Sequence, residues 1–291
     1  MERKIALIGF GEAGSAFAAA RAPGIAATAY DVKTRDPAER DAMLAAYAEA
    51  GVEGFNTAAA ALANAEAVLS LVTADQAHPV AKGHATELGH GALWLDMNSV
   101  APQTKRAAAR AVEAAGGRYV DVAVMAPVHP QILGVPLLVS GPHAEAGAEI
   151  LEAIGFTQVR VVAGEVGTAS SIKMIRSVIV KGLEALTAEA MLAAEAAGVR
   201  DELIASLDAS ERARPWAERA DYNLDRMLLH GTRRAAEMEE VVKTLDALGT
   251  GSPMTRGTIE RQRALGAIGA GAPDGLDAKL DLIRNRKAEA A

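Results

Sequence analysis

The chain of 291 residues contains no cysteine. That excludes disulfides, thiolate metal ligands and a cysteine nucleophile. Aromatic residues are scarce: two Trp, four Tyr and four Phe, 3% of the total. Such a chain offers no stacking platform for single-stranded nucleic acid. Basic residues are outnumbered, with 30 Lys and Arg against 37 Asp and Glu, a net charge of −7. A polyanionic partner is therefore not expected. No apolar run reaches the length of about 18 residues that a membrane span needs, so no membrane association is expected. The N-terminus enters an apolar strand without a basic region followed by an apolar signal core. A cytoplasmic location is the expectation that follows. The six His residues include His78, His84, His90, His129 and His143, which form no metal-ligand spacing; no metal is expected.

What is present is ordinary for a globular protein: 50% hydrophobic and 23% charged residues. The length allows a sizeable core and two domains. Residues 4–10, Lys-Ile-Ala-Leu-Ile-Gly-Phe, read as a buried strand. Gly9, Gly11 and Gly14 follow in G-x-G-x-x-G spacing, and an Ala-rich helical run begins at once. Asp31 closes a second apolar strand, Ala26–Tyr30. Strand, glycine turn, helix, strand, acid is the order of a dinucleotide site. There the first Gly makes the turn, the second admits the pyrophosphate and the third packs helix on strand. The helix N-terminus offers its unpaired N–H groups to the phosphates. Gly9, Phe10, Gly11, Glu12, Ala13 and Gly14 are the expected cofactor loop. Asp31 suits the ribose 2′-OH and favours NAD over NADP, although Lys33 and Arg35 close behind could reverse the preference.

The first half alternates strands with helices. Strands are predicted at Ile5–Phe10, Ala26–Tyr30, Ala67–Val72, Leu93–Asp96, Tyr119–Val124, Pro136–Ser140 and Val159–Val162. Helices are predicted at Ala13–Ala22, Pro37–Ala50, Gln76–Leu88, Pro102–Ala115 and Ala144–Ile154. The pattern implies a mainly parallel, doubly wound sheet covered on both faces, with antiparallel edge pairing around Tyr119 and Leu137. Val72 and Thr73, at a strand end, are expected to line the cofactor groove.

Around Gly164 the pattern turns wholly helical. Thr168–Ala197 reads as one helix of about 30 residues, or about 45 Å. Further helices are predicted at Asp201–Leu207, Trp216–Met227, Thr232–Leu248 and Pro253–Leu265, with Leu276–Ala291 a charged helix or frayed tail. The expected organisation is a Rossmann domain over 1–164 and an all-α domain over 165–291. The long helix suggests a homodimer formed through the helical domain. Lys173 lies among Ile172, Met174, Ile175, Val178 and Ile179, with Ser177 and Lys181 on its face. So apolar a stretch is expected to be buried. The residues alone leave two readings: a lysine snorkelling at a solvent edge, or one desolvated and suited to proton transfer.

Four ordered segments resemble the β-hydroxyacid dehydrogenase family, which includes 3-hydroxyisobutyrate and 6-phosphogluconate dehydrogenases. Gly9–Gly14 resembles its cofactor motif. Asp96-Met-Asn98-Ser99-Val-Ala-Pro102 resembles its D-x-S-T-x-x-P segment. Asp121–Pro127, continuing to Gly134, resembles its substrate-binding segment. Gly164-x-x-Gly167-x-Ala169-x-x-x-Lys173 resembles its G-x-x-G-x-G-x-x-x-K-x-x-N-N segment. The resemblance covers nearly the whole chain and points to a divergent branch with its own short helical C-terminal domain.

The resemblance implies an NAD(P)-dependent dehydrogenase interconverting a small hydroxyacid, of 3-hydroxyacid or sugar-acid type, and its oxo form. It implies Lys173 as general acid/base, Ser99 at the nicotinamide and the substrate hydroxyl, and Asn98, Met125, Ala126 and Ser177 at the substrate. Departures lie at Met125-Ala126-Pro127, where the family has Ser-Gly-Gly, and at Arg176 and Ser177, where it has Asn-Asn. Asp121 is read as structural. Arg176, Arg233 and Arg234 are candidates for an anionic substrate group, and His230 for a further substrate contact. Rival readings are an imine reductase on the same scaffold, which Lys173 argues against, and a cofactor-binding sensor without turnover.

Overall fold

The computed structural model describes residues 3–210 and 214–289. The chain divides into two compact units, residues 1–178 and 179–291. The first runs β1 (Arg3–Ile8), α1 (Glu12–Ala20), β2 (Ile25–Tyr30), α2 (Pro37–Glu49), β3 (Glu53–Gly54), α3 (Ala58–Leu62), β4 (Ala67–Ser70), α4 (Ala77–His84), β5 (Leu93–Asp96), α5 (Pro102–Ala114), β6 (Arg118–Val124), β7 (Leu137–Ser140), α6 (Ala144–Ile154) and β8 (Val159–Val161). The helix α7 (Thr168–Ala197) contains the boundary between the units. In the second unit follow α8 (Arg200–Ser210), α9 (Trp216–Leu248), α10 (Pro253–Gly266) and α11 (Leu276–Glu289).

One eight-stranded sheet has the order β3-β2-β1-β4-β5-β6-β7-β8. Neighbours are parallel except β6 and β7, which pair antiparallel from Asp121↔Ser140 to Val124↔Leu137. This is a Rossmann-like, doubly wound sheet, as the alternation predicted, followed by a helical region. Along β1, Ile5 and Leu7 enter one apolar cluster while Ala6 and Ile8 enter another. Successive side chains point to opposite faces, so both faces are covered. Strand order reverses between β1 and β4. Open α/β sheets hold ligands in the crevice at that point, beyond the carboxyl ends of the strands.

Two short elements, β3 and α3, escaped the sequence reading. Two and five residues are too few to display a period. A larger difference lies in α9, predicted as two helices broken near Gly231 but continuous over 33 residues. A Cβ on Gly231 would sit 2.3 Å from the Gln262 carbonyl oxygen, and one on Gly266 would sit 2.3 Å from the Thr232 nitrogen. Gly231 is thus a point of close approach between α9 and α10, not a helix stop. Gly249, at φ 72°, ends α9 with N–H bonds back to Asp246 and Leu245.

Within the second unit, two buried charges fasten helix to helix. Glu189 on α7 accepts hydrogen bonds from the backbone N–H groups of Met254 (2.8 Å) and Thr255 (2.9 Å) and from the Thr255 hydroxyl (2.5 Å). It caps α10, whose own Ser252 makes no capping bond. Burial pushes the Glu189 carboxyl up, but these bonds outweigh it and hold it below the usual glutamate range. Lys279 on α11 reaches Asp221 on α9 at 2.8 Å, and that hydrogen bond holds its ammonium above the usual lysine range despite desolvation.

Candidate active site

The glycine turn is built as its spacing requires. Gly9 has φ +90°, and a Cβ there would stand 2.4 Å from the Leu71 carbonyl oxygen at the end of β4. A Cβ on Gly14 would stand 2.6 Å from the Gly9 oxygen. Gly11 has nothing within 4 Å, so its backbone is open to an approaching ligand. No side chain caps α1, which leaves the positive end of the helix for an anion. Asp31 is pinned beside the turn: one carboxylate oxygen accepts from the Phe10 N–H at 2.7 Å and the other from the Lys33 N–H at 3.0 Å. These residues fit a dinucleotide.

A cavity of about 740 Å³ extends from this turn, bounded by Gly9, Gly11, Tyr30, Asp31, Lys33, Arg35, Val72, Thr73 and His84. Around it, the Arg35 guanidinium lies 5.4 Å from the Tyr30 ring centre, and Lys33 pairs with Glu39 at 3.2 Å. A second cavity, of about 430 Å³, is lined by Glu12, Ala13, Phe17, Met97, Asn98, Ser99, Ala126, Pro127 and Lys173. Leu71 and Val72 line both. The two cavities therefore share a wall at the β1/β4 crevice.

Lys173 enters the second cavity from α7. Its Nζ donates to the Ser99 Oγ at 2.5 Å. Lys173 is half-buried. The expectation that its apolar stretch is buried is corrected: Ile175 is 70% and Val178 69% exposed. Ser99 does not cap α5, whose N-cap is Ala101; its hydroxyl is turned to Lys173 instead.

Asn98 is buried and its amide is committed to the frame. Nδ2 donates to Ser70 Oγ (3.0 Å) and Asp96 Oδ1 (2.8 Å), while Oδ1 accepts from the Val72 N–H (2.7 Å). Both amide hydrogens are used, so Asn98 locks Val72 and Ser99 in place and has no free donor for a substrate. Arg176 is exposed and donates to the Met125 carbonyl at 3.3 Å, next to cavity residue Ala126. The Ser177 hydroxyl donates back to the Lys173 carbonyl at 3.0 Å, within its own helix. His230, Arg233 and Arg234 lie on α9 in the second unit, with Arg233 exposed and the other two half-buried.

Asp121, read from the sequence as structural, belongs to a buried polar cluster whose Lys105 and Tyr119 the sequence did not single out. Asp96, Lys105, Tyr119 and Asp121 are fully buried. The Tyr119 hydroxyl donates to Asp96 at 2.6 Å. Burial, reinforced by the Asp96 charge, pushes the Tyr119 phenol well above the usual tyrosine range. Asp121 accepts from the N–H groups of Gly167 (3.0 Å) and Ser170 (3.1 Å) and from the Ser170 hydroxyl (3.1 Å). It anchors the start of α7. A signal for Lys105 was present: Lys105, Ala108, Ala109 and Val112 share the buried stripe of α5.

A family model described as the NAD binding domain of 6-phosphogluconate dehydrogenase matches residues 4–164. The chain belongs to the β-hydroxyacid dehydrogenase family. This family member is thus an oxidoreductase scaffold with a nicotinamide-dinucleotide domain. Residues 194–265 match a domain of unknown function, DUF1932. A conserved hypothetical protein from Sinorhizobium meliloti is 39% identical over 98% of this chain and 97% of its own, with a TM-score of 0.61. The conserved protein MTH1747, described as structurally similar to 3-hydroxyacid dehydrogenases, is 26% identical over 96% of this chain and 99% of its own, with a TM-score of 0.60. An imine reductase from Streptomyces aurantiacus is 23% identical over 97% of this chain and 99% of its own, with a TM-score of 0.71; that likeness is one of fold. Among the described residues no helix is long and apolar enough to cross a membrane.

Proposed function

We propose that this protein interconverts a small hydroxyacid and its oxo form with a nicotinamide cofactor, and that Lys173 moves the proton. The observation that carries the reading is the Lys173–Ser99 pair, 2.5 Å apart on a cavity that meets the glycine turn. Gly9, Phe10, Gly11, Glu12, Ala13 and Gly14 would hold the pyrophosphate, Asp31 the adenosine ribose, and Val72, Thr73 and Ser99 the nicotinamide end. When bound, the nicotinamide supplies or accepts the hydride. In oxidation a neutral Lys173 amine takes the substrate hydroxyl proton; in reduction its ammonium returns it. Ser99 orients Lys173 and leaves its own O–H to donate to the reacting oxygen. Proton transfer by a positioned group contributes about 10²–10⁴-fold. Arg176, exposed beside Met125, is the candidate within the first unit for an anionic substrate group.

NAD is the favoured cofactor in this reading. Asp31 is fixed by two backbone N–H groups, where a 2′-phosphate would be repelled. The two cations close behind also line the cavity, Lys33 paired with Glu39 and Arg35 over the Tyr30 ring, and the preference rests on Asp31. A second copy of the chain is the expected partner. Apolar residues of α7 stand in water, among them Ile175, Val178 and Leu192, the last 60% exposed. Exposed apolar side chains in such number along one helix suit association with a partner. Light scattering of the purified protein should give the mass of a dimer; a monomer at working concentration would remove this part.

The catalytic reading is tested by screening 3-hydroxyacids, aldonates and cyclic imines with both nicotinamide cofactors, read at the nicotinamide absorbance. Turnover of a hydroxyacid is the expected result. Turnover of imines alone would transfer the site to the reductase reading.

A further inference from the structure

Lys105 is 0% exposed and its ammonium sits between two buried carboxylates. It donates to the Asp96 backbone oxygen at 2.5 Å, to Asp96 Oδ1 at 3.1 Å and to the Val122 carbonyl at 3.3 Å. Asp121 Oδ1 lies 3.4 Å away. That oxygen accepts no hydrogen bond among the described residues, so the ammonium is the charge that it faces. The other partners of the two carboxylates matter more. Asp96 Oδ1 also holds the Asn98 N–H at 3.0 Å and the Asn98 amide, and so fixes the segment that carries Ser99. Asp121 Oδ2 holds the first turn of α7, which carries Lys173. Ser99 and Lys173 approach from separate elements, and Lys105 is joined to the anchor of each.

We infer that Lys105 is a positioning residue: one buried ammonium sets the Lys173–Ser99 distance by tying together the anchors of both. The inference rests on the reading of Lys173 as the proton-transfer group. Its physical basis is that removing one partner of a buried charge pair leaves an uncompensated charge, which the segments held by that charge must move to relieve.

The test uses Lys105→Met in the full chain. Hydrogen exchange without cofactor is read over residues 97–100 and 167–173. Both segments should exchange faster together, at least about tenfold, because both lose the same tie. Turnover should fall about 10²-fold while the dinucleotide Kd moves by less than about twofold, the pattern of a misplaced reacting group. Where Lys105→Met does not accumulate as folded protein, Lys105→Met with Asp121→Asn is read instead. It removes one charge of each sign and keeps an amide oxygen for Gly167 and Ser170. Recovered thermal stability with turnover still low supports positioning. Turnover returning together with stability would mean that Lys105 merely neutralises charge, and would overturn the inference. Exchange unchanged in either segment would overturn it as well. Wild-type turnover in Lys173→Ala would sink the proton-transfer reading alone, because the exchange result does not depend on it.

Discussion

The glycine end of the crevice and the lysine end are built by different means. At the glycine end the backbone does the shaping. Gly9 and Gly14 let main chain approach main chain where a Cβ would stand 2.4 and 2.6 Å from an oxygen, and Asp31 is held by two N–H groups. At the lysine end, side chains from α5, α7 and the ends of β4, β5 and β6 converge through buried charge. Local backbone demands leave a mark in a short stretch of sequence. Convergence of distant side chains does not, because each partner looks ordinary where it stands.

Substitutions can widen or erase that contrast. The largest effect on cofactor binding is expected from Gly9→Ala. Its Cβ would meet backbone, which cannot swing away, and alanine at φ +90° adds strain of about 1–3 kcal/mol. Dinucleotide affinity should fall at least about tenfold, or 1.4 kcal/mol, in a fluorescence titration; unchanged affinity would mean that the turn does not carry the pyrophosphate. Next comes Asp31→Ser, which removes the acceptor and the repulsion of a 2′-phosphate together. The ratio of NADPH to NADH affinity should rise about tenfold. Tenfold tighter NADPH binding by the unaltered protein would already contradict the assignment of Asp31.

A smaller effect, outside both ends, is expected from Glu189→Gln. The cap on α10 loses its charge, at a cost of about 1 kcal/mol. Because the folded-state pKa of Glu189 lies below its unfolded value, its contribution is present above the ordinary glutamate pKa and is lost as pH falls through the folded one. Thermal midpoints should therefore differ between the two proteins at neutral pH and converge in acid. A difference that persists in acid would assign the effect to shape, not charge.

Much of the fold was legible in the sequence. The limits of α6 and α7, the parallel sheet and the antiparallel turn of β6 against β7 follow from period and punctuation. The misreading of α9 is instructive. Gly231 looks like a helix stop until its partner Gly266 is seen beside it, and that pairing is tertiary. At the site, the cofactor loop and Lys173 were readable because each sits in a spaced motif. The resemblance places Asn98 at the substrate, and a motif does not say which of a residue's hydrogens are already taken. Lys105 was missed although its place on the stripe of Ala108, Ala109 and Val112 marked a lysine facing inward. The apolar run of α7 was misjudged as buried because hydrophobicity says what wants cover and not what supplies it.

The claim that joins the two ends is that the dinucleotide laid on the glycine turn is served at its far end by Lys173. Lys173→Ala, assayed for turnover and for cofactor affinity in the same preparation, tests it most directly. Turnover lowered about 10²–10⁴-fold with dinucleotide affinity intact is the expected result. Turnover equal to that of the unaltered protein would contradict it.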